Sequence, residues 1–167
     1  MSLRLYVPQY HELAFREQLL SDPATMAFRR GEAPSEGYHP ETGCMDFPRN
    51  VWALWYDFWV DREPDRFYAY VVNGTTPVGE VCYYENEGRM QTGILLCALE
   101  RGKGYCAPSL RLLAEHAFAQ TEITALEAEF STAHTAALRG YGSAGFHVIR
   151  RCGGKALLRL TRETFGK

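Results

Sequence analysis

Apolar and polar positions change their period along this chain, from helical in the first third to alternating afterwards. A short alternating strand is predicted over 3–7, followed by helices over 9–20, about 21–30 and 51–60, where apolar residues recur at the spacing typical of amphipathic helices. Between them, residues 31–50 hold three Pro and three Gly in GEAPSEGYHPETGCMDFPRN and are predicted to be a long loop. Loops of that length in a compact domain are often functional or mobile.

From Arg66 onward the pattern predicts an antiparallel meander. Three strands are expected in 66–99, and the Asn-Gly pair at 73–74 is a strong hairpin signal between the first two. The elements predicted after the meander are a helix over 104–119, a strand over 123–130, a helix over 133–144, and two strands in 146–163 about Gly153-Gly154. The order β-α-α-β-β-β-α-β-α-β-β predicts an α/β (α+β) domain with a mixed sheet.

Composition limits the range of functions. With 167 residues, 46% apolar and 23% charged, the chain is expected to form one domain over residues 1–167. A net charge of −2 argues against nucleic-acid binding. Neither a signal peptide nor an apolar run long enough to span a membrane is recognisable. The five Cys include no CxxC pair, which favours reduced thiols and a cytoplasmic location without a metal site.

The stretch ERGKGYC at 100–106 stands directly before a predicted amphipathic helix. The first N–H groups of a helix are unpaired and attract anions. Gly102 and Gly104 permit close approach of a phosphate, and Arg101 and Lys103 add positive charge. We interpret the stretch as a pyrophosphate cradle, although a basic turn that caps a surface helix is an alternative. The Walker and GxGxxG patterns of nucleotide sites are absent.

Two motifs in this part of the chain resemble those of the GNAT superfamily of N-acetyltransferases. RGKGYC at 101–106 resembles its motif A, Q/R-x-x-G-x-G/A, with Cys106 where Gly or Ala is usual. HTAALRGYGSAGF at 134–146 resembles its second motif, N-x-x-A-x-x-x-Y-x-x-x-G-F, with His134 in place of the usual Asn. The matching positions are Arg101, Gly104, Ala137, Tyr141, Gly145 and Phe146. The resemblance covers about residues 66–161, and the whole chain loosely.

The resemblance implies a GNAT-like mixed, mostly antiparallel twisted sheet with helices on both faces. Two central parallel strands, about 93–99 and 123–130, would splay into a V that binds acetyl-CoA, with no metal. Residues 66–161 would form the acetyl-CoA-binding core, and residues 9–65 the helices and loop on the acceptor side. The implied cofactor-binding residues are Leu96, Cys97 and Ala98 for the pantetheine arm, then Arg101, Gly102, Lys103, Gly104, Tyr105 and Cys106 for the pyrophosphate, with His134 and Ala137.

The same resemblance implies acetyl transfer to a primary amine by direct attack in a ternary complex. Tyr141 is the candidate acid for the leaving thiolate, unless it only packs on the pantetheine arm. Glu80 is the candidate base, with Glu127 and Glu129 as weaker candidates. His134 would titrate near neutral pH, or would only cap a helix or replace a hydrogen bond of the usual Asn. The alternative to an enzyme is a non-catalytic acyl-CoA-binding or sensor domain on the same fold.

A cysteine nucleophile is a rival mechanism. The Cys106 thiol is expected to have a pKa lowered by the helix N-terminus, but His116 lies about 15 Å along the helix and is too distant to act as its base.

The acceptor is expected to be a small-molecule amine or a protein N-terminus. Acidic residues in 31–65 stand among Trp52, Trp55, Tyr56 and Trp59, which suits a cationic amine. A solvated acidic loop beside core aromatics explains the same pattern. A homodimer is possible through the segment KALLRLTRE, which could serve as a sheet edge.

Overall fold

A computed structural model describes residues 2–167, which build one sheet of seven strands with the order β1-β2-β3-β4-β5-β7-β6. The strands are β1 Leu3–Tyr6, β2 Arg66–Asn73, β3 Thr76–Asn86, β4 Arg89–Leu96, β5 Ala125–Ser131, β6 His147–Cys152 and β7 Lys155–Thr161. The helices are α1 Ala14–Ser21, α2 Pro23–Met26, α3 Arg49–Trp59, α4 Cys106–Phe118, α5 Thr135–Ser143 and α6 Arg162–Phe165. Single 3₁₀ turns lie at Tyr10–Glu12, Ala27–Arg29 and Ala98–Glu100.

Antiparallel pairing joins every neighbouring pair of strands except β4 and β5, which run parallel. The predicted meander is formed by β2, β3 and β4, and its first hairpin turns at Gly74 and Thr75, within the predicted NGTT turn at 73–76. The predicted fold class, a mixed and mostly antiparallel sheet with helices, is therefore confirmed.

The parallel pair separates soon after it begins. β4 and β5 share a single register position, Gln91 opposite Glu127, close to the start of β4. Beyond this position the ladder stops, so the rest of β4 up to Leu96 lies beside a gap instead of a hydrogen-bonded neighbour. The gap opens toward the carboxyl ends of both strands, where the resemblance places it.

Helices cover both faces of the sheet. On one face α4 and α5 pack over a continuous apolar core that includes Val81, Leu113, Leu126 and Leu158, none more than 1% exposed. On the opposite face α1 and α3 lie over the first strands, where their aromatic side chains contact Tyr68 and Tyr70. Side chains alternate along a strand, so β3 and β4 contribute to the packing on both faces.

Element boundaries differ from the sequence prediction around β4. The strand predicted over 90–99 ends at Leu96, because the Ala98 N–H donates to Thr25 Oγ1 at 3.0 Å and draws the chain into a 3₁₀ turn. The helix predicted from 104 begins at Cys106, because Gly104 has a positive φ of 81°. The predicted helix over 9–20 is a 3₁₀ turn followed by α1.

The predicted sheet edge at KALLRLTRE is wrong. Most of this segment is β7, which pairs with β5 on one side and β6 on the other, so its backbone groups are used. The edge of the sheet at this end is β6, whose six residues are all exposed.

Substitution of Gly79 tests the close approach of β3 and β4. A Cβ at this position would lie 2.4 Å from the Leu95 carbonyl oxygen, so Gly79→Ala should lower the free energy of unfolding by about 1–3 kcal/mol. The matched control is Gly142→Ala in α5, where a Cβ meets open space and should raise stability by about 0.5–1 kcal/mol. Urea unfolding measures both, and equal stability of Gly79→Ala and wild type would contradict the close contact.

Candidate functional site

Backbone donors collect in the loop between β4 and α4. The five N–H groups of residues 102–106 donate to no acceptor within residues 2–167. Positive φ angles at Gly102 (77°) and Gly104 (81°) shape the loop, and the last of the five donors belongs to the first residue of α4. Unpaired N–H groups at a helix N-terminus favour an anion, so this loop has the geometry of a phosphate cradle.

The two cations of the loop both make contacts within the protein. The Arg101 guanidinium donates to the carbonyl oxygens of Ala24 (3.4 Å) and Thr25 (2.6 Å), which ties the loop to α2. Lys103 is exposed and pairs with Glu100 at 2.9 Å. In this arrangement Arg101 positions the cradle, and both residues are exposed.

Three residues were predicted to pair with a pantetheine arm through their backbone. Of these, only Leu96 has backbone groups left for such pairing. Both main-chain groups of Cys97 are used, because its N–H donates to Val78 O and its carbonyl accepts from Glu100 N–H, each at 2.9 Å. The Ala98 N–H is held by Thr25, as described above. Since alternate residues of a strand point their backbone groups to opposite sides, those of Ile94 and Leu96 face the gap.

Tyr141 lies on the α5 side of the gap, where β4 and β5 part. Its ring is 4% exposed and packs against Phe130 and Phe146, with centroids 5.3 and 4.9 Å away. Its hydroxyl is 3.3 Å from Thr92 Oγ1, which itself donates to Glu127 O at 2.9 Å. Burial raises the pKa of Tyr141, so the hydroxyl stays protonated at neutral pH. Sequence reasoning missed Thr92, since nothing in MQTGILL marks it.

The start of α4 fits against α5 through a small-residue contact. A Cβ on Gly140 would lie 2.4 Å from Cys106 Sγ, so the glycine makes room for the larger side chain that replaces the usual Gly or Ala. Burial raises the pKa of the Cys106 thiol. The expected lowering by the helix N-terminus is therefore wrong, because desolvation outweighs it.

His134 stands at the N-cap position of α5 but makes no capping bond with its side chain. Its ring stacks on Phe28 with centroids 5.7 Å apart. The predicted role as a cap is wrong for this reason, and the imidazole instead closes an aromatic contact at the wide end of the gap. Ala137 is half-buried one turn before Tyr141 on the same helix face.

Glu80 is held from two sides. This β3 carboxylate is 9% exposed and accepts from the Arg16 guanidinium through one oxygen and from the Tyr68 hydroxyl through the other. Burial acts to lower the pKa of Arg16, but the Glu80 charge and Tyr68 outweigh it, and the net pKa of Arg16 is raised. Arg16 was not predicted as a site residue, although its place between Leu13 and Leu20 on the apolar side of α1 is a signal that it is buried.

This ion pair forms part of a cavity of about 190 Å³ on the α1/α3 face. Its lining residues are Arg16, Trp55, Trp59, Tyr68, Glu80, Val81, Cys82, Gly93, Ile94 and Leu95. The last three belong to the half of β4 that borders the gap. The cavity and the gap therefore meet at the same strand.

The acidic residues of 31–65 do not line this cavity. Several are paired elsewhere: Glu32 with Arg29, Asp46 with His39, Asp57 with Arg62, and Glu63 with His116. Among the predicted aromatics, Trp55 and Trp59 line the cavity, whereas Trp52 is buried in a separate core cluster and Tyr56 donates to Pro8 O. Of the acidic and aromatic residues predicted in 31–65, only aromatic ones line the cavity. Its single carboxylate, Glu80, comes from β3.

The weaker base candidates lie away from the cavity. Glu127 is 3% exposed and accepts from Arg159 Nε at 2.8 Å, and Glu129 is exposed with Arg150 at 3.9 Å. Within residues 2–167 no three His, Cys, Asp or Glu side chains group together as metal ligands do. No helix in the same range has the length and apolar content to cross a bilayer.

The model of the acetyltransferase (GNAT) domain family matches residues 2–147. The chain belongs to the GNAT acetyltransferase family. The resemblance drawn from the two motifs is confirmed, and membership of this family makes the protein an acyltransferase. No curated protein matches the chain.

Solved structures of other GNAT proteins share the fold over the whole chain. The aminoglycoside acetyltransferase AAC(6')-Ib in complex with coenzyme A has a TM-score of 0.71 and 20% identity, with 99% of this chain and 98% of that chain covered. The spermidine N-acetyltransferase from Vibrio cholerae in complex with CoA and spermine has a TM-score of 0.75 and 13% identity, with coverage of 99% and 98%. At these identities the likeness concerns the fold.

The thiols offer a test of the site's electrostatics. Cys152 is exposed, whereas burial raises the pKa of Cys106, and raises that of Cys82 to about 12. At pH 8 iodoacetamide should therefore modify Cys152 first, Cys106 more slowly and Cys82 last, because the thiolate is the reactive form. Peptide mass spectrometry over time measures the order, with protein unfolded in urea as the control. Faster modification of Cys106 than of Cys152 would mean that the helix N-terminus dominates.

Proposed function

We propose that the protein transfers the acetyl group of acetyl-CoA to a primary amine of a small molecule, by direct attack in a ternary complex. The observation that carries the proposal is the row of unpaired N–H groups at 102–106, which stands at the wide end of the gap between β4 and β5. The AAC(6')-Ib and Vibrio cholerae structures contain coenzyme A, which supports the same ligand here.

The residues present fit this ligand. The cradle at 102–106 would hold the pyrophosphate, and the exposed Lys103 would turn from Glu100 to add a charge contact. The backbone groups of Ile94 and Leu96 would hold the pantetheine arm. When bound, acetyl-CoA supplies an activated acyl group as a thioester. An amine held beside β4 needs no covalent enzyme intermediate, so orientation would supply much of the rate.

Tyr141 is suited to the role of acid. Thr92 commits its own hydrogen to the Glu127 carbonyl, so its oxygen accepts from the Tyr141 hydroxyl and holds that proton at the apex of the gap. The raised pKa of Tyr141 keeps its hydroxyl protonated, so the hydroxyl can donate a hydrogen bond to the leaving thiolate as charge develops on the sulfur. Thr92 is thus a positioning residue for Tyr141.

We propose that Glu80, the candidate base, lies at the acceptor site in a modified role. It is the one carboxylate that lines the cavity within residues 2–167, and each of its oxygens retains a lone pair after the bonds to Arg16 and Tyr68. We propose that Glu80 accepts an N–H of the amine and orients it. Removal of the amine's proton then falls to water at the cavity mouth or to Glu80 itself.

Thermal unfolding tests the cofactor. Acetyl-CoA at a hundredfold excess over its Kd should stabilise the protein by about 2.7 kcal/mol, which raises Tm by roughly 5–10 °C. Gly104→Glu should abolish the rise, because it places a like charge in the cradle. Gly88→Glu is the control, since Gly88 also has a positive φ (78°) and open space but lies in the turn at the opposite end of β4. No rise at millimolar acetyl-CoA would refute the proposal.

Tyr141→Phe tests the acid. Loss of the hydroxyl should lower kcat by roughly 10²-fold, with little change in acetyl-CoA affinity. Because the pKa of Tyr141 is raised above its ordinary value of 10.0, wild-type kcat should not fall between pH 8 and 10 through loss of this proton. Release of free thiol with a panel of amines measures both, and Tyr10→Phe, an exposed tyrosine, is the control. Acetyl-CoA binding without thiol release would favour the sensor alternative.

A further inference from the structure

The acceptor cavity already contains a cation of the protein's own. The Arg16 guanidinium carbon lies 4.6 Å from the ring centroid of Trp55 and 5.5 Å from that of Tyr68, and the same group pairs with Glu80. A carboxylate beside aromatic faces is the arrangement that would recognise an organic ammonium ion. In this cavity the Arg16 guanidinium already occupies the position that such an ammonium ion would take.

The charge of the cavity is therefore balanced before any ligand arrives. Arg16 and Glu80 are the charged side chains among the lining residues, and their formal charges cancel. The acidic residues of 31–65 lie outside the cavity, so a ligand's second or third cation would find no carboxylate there. It would instead lie near Arg16, and like charges in a partly desolvated space repel strongly.

The volume of the cavity also favours a small ligand. An apolar cavity of about 150 Å³ accommodates a benzene ring, and this one has about 190 Å³ with indole, phenol and aliphatic walls. That space holds one ring or a short branched chain. An extended polyamine or a multi-ring sugar would have to leave most of its length outside.

We propose that the acceptor is a compact monoamine with an aromatic or apolar body, and that Arg16 determines this specificity by excluding polycations. The inference rests on the proposed acetyltransferase function and names the substrate class of the same site. A single amine contacts the remaining lone pairs of Glu80 and attacks in its neutral form, so Arg16 disfavours it far less than a dication.

Ligand binding to the complete protein tests the inference without need of turnover. Trp55 and Trp59 line the cavity, so tryptophan fluorescence reports occupancy. 2-Phenylethylamine should bind at least tenfold more tightly than spermidine or kanamycin. Arg16→Met leaves the Glu80 charge uncompensated and should reduce that preference by at least tenfold in favour of spermidine.

Two further variants separate charge from shape. Arg16→Lys keeps the cation and should retain the wild-type preference. The double variant Arg16→Met/Glu80→Gln removes the repelling cation without leaving an unpaired carboxylate, so its preference should fall below that of the wild type, though less than in Arg16→Met. Circular dichroism checks the fold, and if Arg16→Met alone does not fold, the wild type and the double variant decide the matter.

Tighter binding of spermidine or kanamycin by the wild type would overturn the inference, as would an unchanged preference in folded Arg16→Met. In that event the acetyltransferase proposal stands if acetyl-CoA still stabilises the protein and any amine releases thiol. Conversely, selective binding of 2-phenylethylamine without acetyl-CoA stabilisation would support the ligand class and refute the acetyltransferase.

Discussion

The early end of the ladder between β4 and β5 is the constraint on which the site depends. One register position, Gln91 opposite Glu127, joins the two halves of the sheet. At the same position the Thr92 hydroxyl also donates to the Glu127 carbonyl, so the last contact between the two strands is reinforced by a side chain. The candidate site borders the part of β4 that this separation leaves without a hydrogen-bonded neighbour.

Buried charges flank the separation on one face of the sheet. Glu80 pairs with Arg16 on one side and Glu127 with Arg159 on the other. Such pairs cost desolvation and contribute little net stability, but loss of one partner is expensive because the other charge stays buried. The Arg16–Glu80 pair therefore ties α1 to β3, whereas β7 is already fixed on β5 by a continuous backbone ladder.

Local signals in the sequence were sufficient for most elements and for the hairpin within 73–76, while the phosphate cradle at 102–106 stays a prediction. The assignments that failed depend on partners far along the chain. Arg101 was predicted to bind phosphate, but carbonyls 76 and 77 residues earlier hold it. The Arg16–Glu80 pair joins residues 64 positions apart. No pattern of spacing reveals which residue is the partner, although the place of Arg16 on the apolar side of α1 indicates that Arg16 is buried. Of the four predicted aromatic residues, only Trp55 and Trp59 line the cavity, because the helical period alone does not tell which face of α3 turns to the sheet.

The contact between Cys106 and Gly140 links two parts of the site that are separate in the chain. Cys106 begins the helix behind the cradle, and Gly140 directly precedes Tyr141. The side chains at the two positions share one space, so a larger side chain at one position requires a smaller one at the other. A larger residue at 140 would therefore require a smaller one at 106. The placement of the tyrosine hydroxyl and the shape of the anion cradle are thus mechanically coupled through one contact.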